Sequence, residues 1–136
     1  MVQLSNSAAV TVAPGATVPF NVVTKNTNNC TCFNPVTGSV KMMSRGTYQV
    51  SFSGNISGAT AGTPVQIAIA IGGTALQTGT MISTPAAAND FNNVAKNIYV
   101  PNNCCDADRV TIVNTGTTDV TIGAGATLSV RKAMSV

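Results

Sequence analysis

The sequence lacks the residue types on which most enzyme chemistry depends. It has no histidine, no glutamate and only four aspartates among 136 residues. Without histidine, the Ser-His-Asp and Cys-His catalytic arrangements cannot form. Four scattered aspartates do not predict the paired carboxylates of a glycosidase. Gly72-Gly73-Thr74 lacks the lysine of a phosphate-binding loop. We therefore expect no enzyme activity and no cofactor.

Charge is also scarce, and its scarcity limits the possible partners. Charged residues make up 8% of the chain, the net charge is +3, and no basic cluster occurs, so nucleic-acid binding is not expected. No apolar run approaches the roughly 20 residues that span a membrane. The N-terminal Met1-Val2-Gln3-Leu4-Ser5 lacks signal-peptide features, which predicts synthesis in the cytoplasm. Because surfaces of small soluble domains usually carry more charge, we expect part of this surface to be buried against neighbouring subunits and part to be coated with uncharged Asn, Thr and Ser.

Turn-forming Gly, Asn and Pro residues interrupt the chain at short intervals, and the intervening segments are rich in Val, Ile, Thr and Phe. This pattern is typical of an all-β sandwich or barrel. Tyr48, Val50 and Phe52 alternate with Gln49, Ser51 and Ser53, as in a strand with one buried face. The residues between 84 and 90 are expected to form a loop. Ten strands are predicted, at about 8–13, 17–23, 39–43, 47–54, 65–71, 75–82, 92–100, 109–114, 118–122 and 126–132.

The predicted strand at 65–71 is apolar on both faces. Val65, Ile67 and Ile69 share one face, and Ala68 and Ala70 make the other face small and apolar. A strand on the surface of a monomer should alternate with polar residues. One interpretation is a contact between subunits, and the other is a strand in the middle of a monomeric core. The interface interpretation gives as trimer-contact candidates Val65, Ile67, Ala68, Ile69, Ala70, Leu128 and Val130.

Several motifs in their order resemble the complement and tumour-necrosis-factor jelly roll, most closely the complement-type globular head. They are Val18-Pro19-Phe20-Asn21, Phe33-Asn34-Pro35-Val36-Thr37-Gly38, Arg45-Gly46-Thr47-Tyr48, Asp108-Arg109-Val110-Thr111-Ile112 and Ala126-Thr127-Leu128-Ser129-Val130. The resemblance covers about residues 17–132. It implies a single ten-stranded, trimeric jelly-roll β-sandwich over 1–136, with an N-terminal strand or arm at 1–16 and a tail at 133–136. Tyr48 is expected to bury its ring and bond its hydroxyl to a polar partner.

The same resemblance suggests a function. The chain lacks the collagen-like or coiled-coil stalk of immune versions and is similar to the microbial and viral ones. We therefore expect a homotrimeric structural protein of a virion surface, such as a bacteriophage capsid decoration or head fibre, that contacts a capsid or surface-layer protein. The alternatives are a bacterial spore-surface cap, or a tip module that binds a host receptor or glycan. Phe33, Phe91 and Tyr99 are the candidate aromatic residues for sugar stacking, and the asparagine-rich segments 26–34, 89–93 and 102–103 could supply amide groups.

Four cysteines occur in two pairs, Cys30 with Cys32 and Cys104 with Cys105, each after an Asn-Asn dipeptide in a predicted loop. Neither pair closes easily on itself, so disulfides between the pairs, within or between subunits, are one prediction. A four-thiolate zinc site and free thiols are the others, although the spacing departs from that of structural zinc sites. Asp106 and Asp108 are a weak candidate for Ca²⁺, and no metal is expected overall.

Overall fold

A computed structural model describes residues 2–26, 31–34, 38–102 and 109–135, with the backbone alone at 25, 26, 31–34, 134 and 135. These residues contain strands and connections without a helix, so none of their segments is a helix able to cross a membrane. Their strands are β1 (Val2–Ser5), β2 (Val10–Val12), β3 (Val22–Asn26), β4 (Thr31–Asn34), β5 (Ser39–Met42), β6 (Gly46–Ser57), β7 (Val65–Ile71), β8 (Thr74–Ser83), β9 (Asn92–Asn102), β10 (Arg109–Asn114), β11 (Val120–Ile122) and β12 (Thr127–Ser135).

The strands form two antiparallel sheets. The seven-stranded sheet has the order β2-β11-β6-β12-β1-β3, and β9 pairs with β6 beside that path. The five-stranded sheet has the order β4-β5-β10-β7-β8. The segment before β3 joins the two sheets, because the backbone of Gly15 and Val18 donates to the carbonyls of Asn114 and Ile112 at 2.8 Å.

The core lies between the sheets and follows from strict alternation along the strands. On β6, Tyr48, Val50 and Phe52 point inward and are buried, while Gln49, Ser51 and Ser53 point outward. The rings of Phe20 and Phe52 pack at a tilt, with their centroids 6.5 Å apart. The core therefore fixes the orientation of the outer faces.

The all-β jelly roll expected from the sequence is confirmed, with more strands than the ten predicted. The predicted bounds of β7 and β10 match the structure, and the segment 84–90 is a loop. β6 runs on past the predicted end at residue 54. The backbone of Gly54 lies so close to Ala126 that a Cβ on Gly54 would be 2.7 Å from Cβ of Ala126.

The other strand predictions need correction near the termini and before β5. The predicted strand at 17–23 is wrong over its first half: Val18 and Phe20 are buried anchors in a connection, and β3 begins at Val22. The cysteine-containing segment at 31–34 is strand β4, where a loop was expected, because it pairs with β5. β12 extends to Ser135, so the segment at 133–135 belongs to the sheet and is not a tail.

The expectation for Tyr48 is confirmed by the geometry, and Gly38 shows why its motif ends in glycine. The ring of Tyr48 is fully buried, and its hydroxyl donates to the carbonyl oxygen of Ser44 at 2.9 Å. Gly38 has a φ of 64°, and a Cβ at that position would lie 2.9 Å from the backbone nitrogen of Phe20. Only glycine fits a site with both properties.

Candidate interaction surface

The seven residues predicted to form a trimer contact all lie in the core of a single chain. Val65, Ile67, Ile69, Leu128 and Val130 belong to the hydrophobic cluster between the sheets. Ala68 and Ala70, on the opposite face of β7, are also 0% exposed. A side chain that its own chain covers completely has no surface to offer another chain, so the assignment of the interface to these residues is wrong. The alternative of a strand inside a monomeric core is the correct interpretation of β7.

The outward face of β9, β6 and β12, which we call the outer face, has the features of an interface. Strand register places its side chains in rows across three strands. Because the inward residues of these strands fill the core, the alternate residues must face outward. From one end of the face to the other, the rows are Arg131–Gln49–Tyr99, Ser129–Ser51–Asn97, Thr127–Ser53–Ala95 and Asn55–Asn93.

Short side chains make the middle of this outer face concave. A depression of about 400 Å³ is lined by Ser51, Phe52, Ser53, Ala95, Lys96, Asn97, Thr127 and Ser129. Nε2 of Gln49 donates to Oδ1 of Asn97 at 3.0 Å, and Oγ of Ser51 donates to the same oxygen at 3.1 Å. The polar groups of β6 and β9 are thus fixed relative to one another.

The end row of the face carries the residue types that often dominate binding energy. Tyr99 is 64% exposed, the largest exposure among the exposed large hydrophobic residues, and Arg131 is exposed on β12 two strands away. Tyrosine and arginine are enriched at the energetic centres of interfaces, whereas lysine and acidic residues are depleted. The outer face therefore combines two anchor types with a centre that bears almost no charge.

The sequence contained a signal for this surface. Gln49, Ser51 and Ser53 alternate with the buried residues of β6, and none of them is charged. A solvated strand face normally includes lysine or glutamate. The uncharged polar alternation of β6 marks the exposed face of its sheet, whereas the apolar stripe of β7 marks residues that its own chain buries.

The predicted metal and disulfide sites lie almost wholly outside the described residues. Cys30, Cys104, Cys105, Asp106 and Asp108 are not described, and Cys32 is described by its backbone alone, in β4. Within the described ranges, no three His, Cys, Asp or Glu residues come close enough to hold a metal ion together. The disulfide, zinc and Ca²⁺ alternatives therefore remain predictions.

A serine and a lysine approach each other near the start of β6. Nζ of Lys132 donates to Oγ of Ser44 at 3.1 Å, and Nδ2 of Asn102 donates to the carbonyl oxygen of Ser44 at 2.9 Å. With the bond from Tyr48, these contacts tie the β5–β6 connection to β9 and β12. We interpret the cluster as a structural clamp. Asn102 lies in β9 and is only 3% exposed, so a sugar could not reach its side-chain amide.

Comparison with known proteins supports the fold and leaves the function open. No family model matches the chain, and no curated protein matches it by sequence. Among solved structures, the Eiger TNF of S. frugiperda superposes with a TM-score of 0.75 at 14% identity, over 99% of this chain and 92% of the other. The globular domain of zebrafish complement 1qA protein gives a TM-score of 0.74 at 12% identity, over 99% and 98%. The chain therefore has the jelly-roll fold of these domains.

Proposed function

We propose that this chain, which shares the jelly-roll fold of tumour-necrosis-factor and complement globular domains, is a non-enzymatic structural module that works as a homotrimer. The observation that carries the proposal is the concave outer face of β9, β6 and β12, whose two central rows contain no charged residue. The resemblance of the chain to these domains implies a threefold association. The composition supports it, because charged residues make up only 8% of the sequence.

The side chains of the outer face favour contact with a protein partner over exposure to water. Its two central rows consist of serine, threonine, alanine and one asparagine, which are small enough for a second backbone to approach closely. Tyr99 and Arg131 flank Gln49 at one end, where they can anchor a contact. A copy of the same chain meets no like-charge repulsion over the central rows, since they contain no charged side chain.

Association through the face is favoured over the addition of a strand at an edge. Among the described strands, β9 pairs with β6 alone and is therefore an edge. Lys96 lies opposite Phe52 in the register, on the core side of that edge, and is exposed. A strand added to β9 would bury this charge, which natural sheets use to block edge-to-edge pairing. The two central rows of the outer face contain no charged residue and so lack that obstacle.

A single substitution tests the proposal. Ala95 is exposed in the depression, so Ala95→Arg leaves the monomer intact but would bury a charge without a partner in the trimer. We expect sedimentation equilibrium to show a trimer for the natural sequence and a weakening of association by roughly 100-fold for the variant. Ala75→Arg is the matched control, because Ala75 is an exposed alanine on β8 of the other sheet.

The possible outcomes separate clearly. A folded monomer of the natural sequence across the micromolar range would overturn the proposal, and a stable dimer would overturn the threefold arrangement. Unchanged association in Ala95→Arg would overturn the assignment of the outer face. Weakening by Ala95→Arg and not by Ala75→Arg would support both parts.

We further propose that the trimer decorates the surface of a virion, with a bacteriophage capsid as its site and a bacterial spore surface as the alternative. The support is the low charge of the chain and its resemblance to microbial and viral versions of the fold. Immunogold electron microscopy of particles produced with and without the chain tests the location. Regular labelling of capsids is expected, and labelling of neither capsids nor spores would contradict the proposal.

A further inference from the structure

An aromatic side chain stands exposed where the outer face meets the loops. Phe91 directly precedes β9 and is 48% exposed. A Cβ placed on Gly123 would lie 3.4 Å from Cε1 of Phe91 and 3.4 Å from the carbonyl oxygen of Asn55. The ring of Phe91 therefore lies close to the backbone at Gly123, which has no side chain, and part of the ring is exposed to solvent.

Asn55 shares the surroundings of Gly123 with this ring, because a Cβ on Gly123 would also lie 3.5 Å from Cβ of Asn55, and its side chain is bonded to that of Asn93. Nδ2 of Asn93 donates to Oδ1 of Asn55 at 3.2 Å, and both side chains are exposed. This bond leaves the Nδ2 donor of Asn55 and the Oδ1 acceptor of Asn93 for an outside ligand. The backbone nitrogen of Gly123 donates to the carbonyl oxygen of Asn55 at 2.8 Å, which holds the ring support and the amide pair together.

The segment that leads into Phe91 is held in place before any ligand arrives. Asn89 has a φ of 64°, unusual for a residue other than glycine, and its backbone nitrogen donates to the carbonyl oxygen of Gly58 at 2.8 Å. Asp90 closes a turn by donating its backbone nitrogen to the carbonyl oxygen of Ala87 at 3.2 Å. A fixed loop loses little conformational freedom when a ligand binds.

We propose that Phe91, Asn55 and Asn93 form a carbohydrate-binding patch that stacks one pyranose ring of a glycan on Phe91. A sugar ring offers an apolar C–H face for the aromatic ring and hydroxyl groups that both donate and accept hydrogen bonds. An amide pair with one donor and one acceptor matches those hydroxyls. The patch is too small for a stable protein interface, which needs about 800 Å² from each partner.

Other exposed apolar side chains lack this environment. Ile82 is 59% exposed on β8, but it has no ring to stack on a sugar. Tyr99 does have exposed amides beside it, yet it lies inside a strand in the row that anchors the proposed trimer contact. That contact is assigned to the three rows from Tyr99 to Ala95, and the end row of Asn55 and Asn93 lies beyond it. The side chain of Phe33 is not described. Among the side chains that the structure does describe, Phe91 is the exposed aromatic that lies outside the strands and near a mutually bonded amide pair.

The inference goes beyond the structural role and does not require it. A single stacked ring gives weak binding, on the order of millimolar, and three linked patches would raise the apparent affinity by roughly 100-fold or more. The Ala95→Arg variant separates the two ideas. In a monomer, binding to one sugar should persist while the gain from a multivalent glycan surface is lost.

The test is a glycan array followed by titration of the best-bound monosaccharide or oligosaccharide, monitored by NMR on the full chain. We expect Phe91→Ala to weaken binding by at least roughly tenfold and Asn93→Ala to weaken it several-fold, whereas Phe91→Trp should retain or strengthen it. Ile82→Ala is the control for loss of an exposed apolar side chain and should leave binding within about twofold.

Three results would overturn the patch. The first is no binding to any glycan on the array, or in solution at about 10 mM sugar, well above the expected dissociation constant. The second is binding that Phe91→Ala leaves unchanged. The third is binding that Phe91→Ala and Ile82→Ala weaken equally. Because the Phe91 side chain is half exposed, the Phe91→Ala variant is expected to fold. If it does not, the Phe91→Trp variant provides a second measurement of the role of the ring.

Discussion

Buried asparagines connect the ends of the sandwich. Nδ2 of Asn114 donates to the carbonyl oxygens of Val12 and Thr118, each at 2.9 Å, and its Oδ1 accepts from the backbone nitrogen of Gly116 at 2.9 Å. Asn6 repeats the arrangement, bonding the carbonyls of Ala8 and Gly123 at 3.0 Å. Each amide bonds two backbone carbonyls, so replacing either residue by an apolar one would remove those hydrogen bonds.

Asn114→Asp should destabilise the fold strongly. A carboxylate cannot donate, so the carbonyls of Val12 and Thr118 would lose their partner and face a buried negative charge. We expect a loss of about 3 kcal/mol or more in the free energy of unfolding, measured by urea titration. Asn55→Asp is the control, because Asn55 is exposed and uses Oδ1 only as an acceptor, and it should change stability by no more than about 0.5 kcal/mol. Equal midpoints for the two variants would contradict this role of Asn114.

At the scale of strands, the residue pattern predicted the bounds of a strand reliably where the same pattern continued through the whole strand. β7 and β10 could be predicted to their ends because their β-branched residues are bounded by turn residues. β4 could not, because four residues with a cysteine become a strand only by pairing with β5. The sequence placed Gly54 at the end of a predicted strand and did not show that its missing side chain serves packing against Ala126. Such contacts join distant parts of the chain and leave no local pattern.

The edge strand β9 gives a prediction at this scale. Lys96 faces the core side of an edge, so Lys96→Val should remove the charge that opposes the addition of a further strand. We expect a roughly tenfold rise in the aggregated fraction, measured by light scattering below the unfolding temperature. Lys41→Val is the control, because Lys41 lies on β5 between β4 and β10, where no edge is open. Equal aggregation of both variants would show that Lys96 has no special role.

For the whole molecule, the sequence indicates association better than it indicates where association occurs. The scarcity of charge predicts hidden surface without the aid of a structure. The location depends on which face each sheet turns inward. An apolar strand such as β7 can be buried on both faces by its own chain, as Ala68 and Ala70 are, and the polar alternation of β6 then lies on the exposed side. Composition indicates that surface is buried, whereas only the topology shows whether that surface lies in the core or at an interface.

Association should also be visible in thermal stability. If three folded chains bind one another and unfolded chains do not, mass action raises the unfolding midpoint as the chain concentration rises. We expect calorimetry over a hundredfold range of concentration to show a shift of several degrees for the natural sequence, and a smaller one for Ala95→Arg. At the lowest concentration, the two midpoints should converge, because Ala95 is exposed in the single chain. A midpoint independent of concentration for both proteins would mean that the outer face of β9, β6 and β12 is stable in water without a second copy.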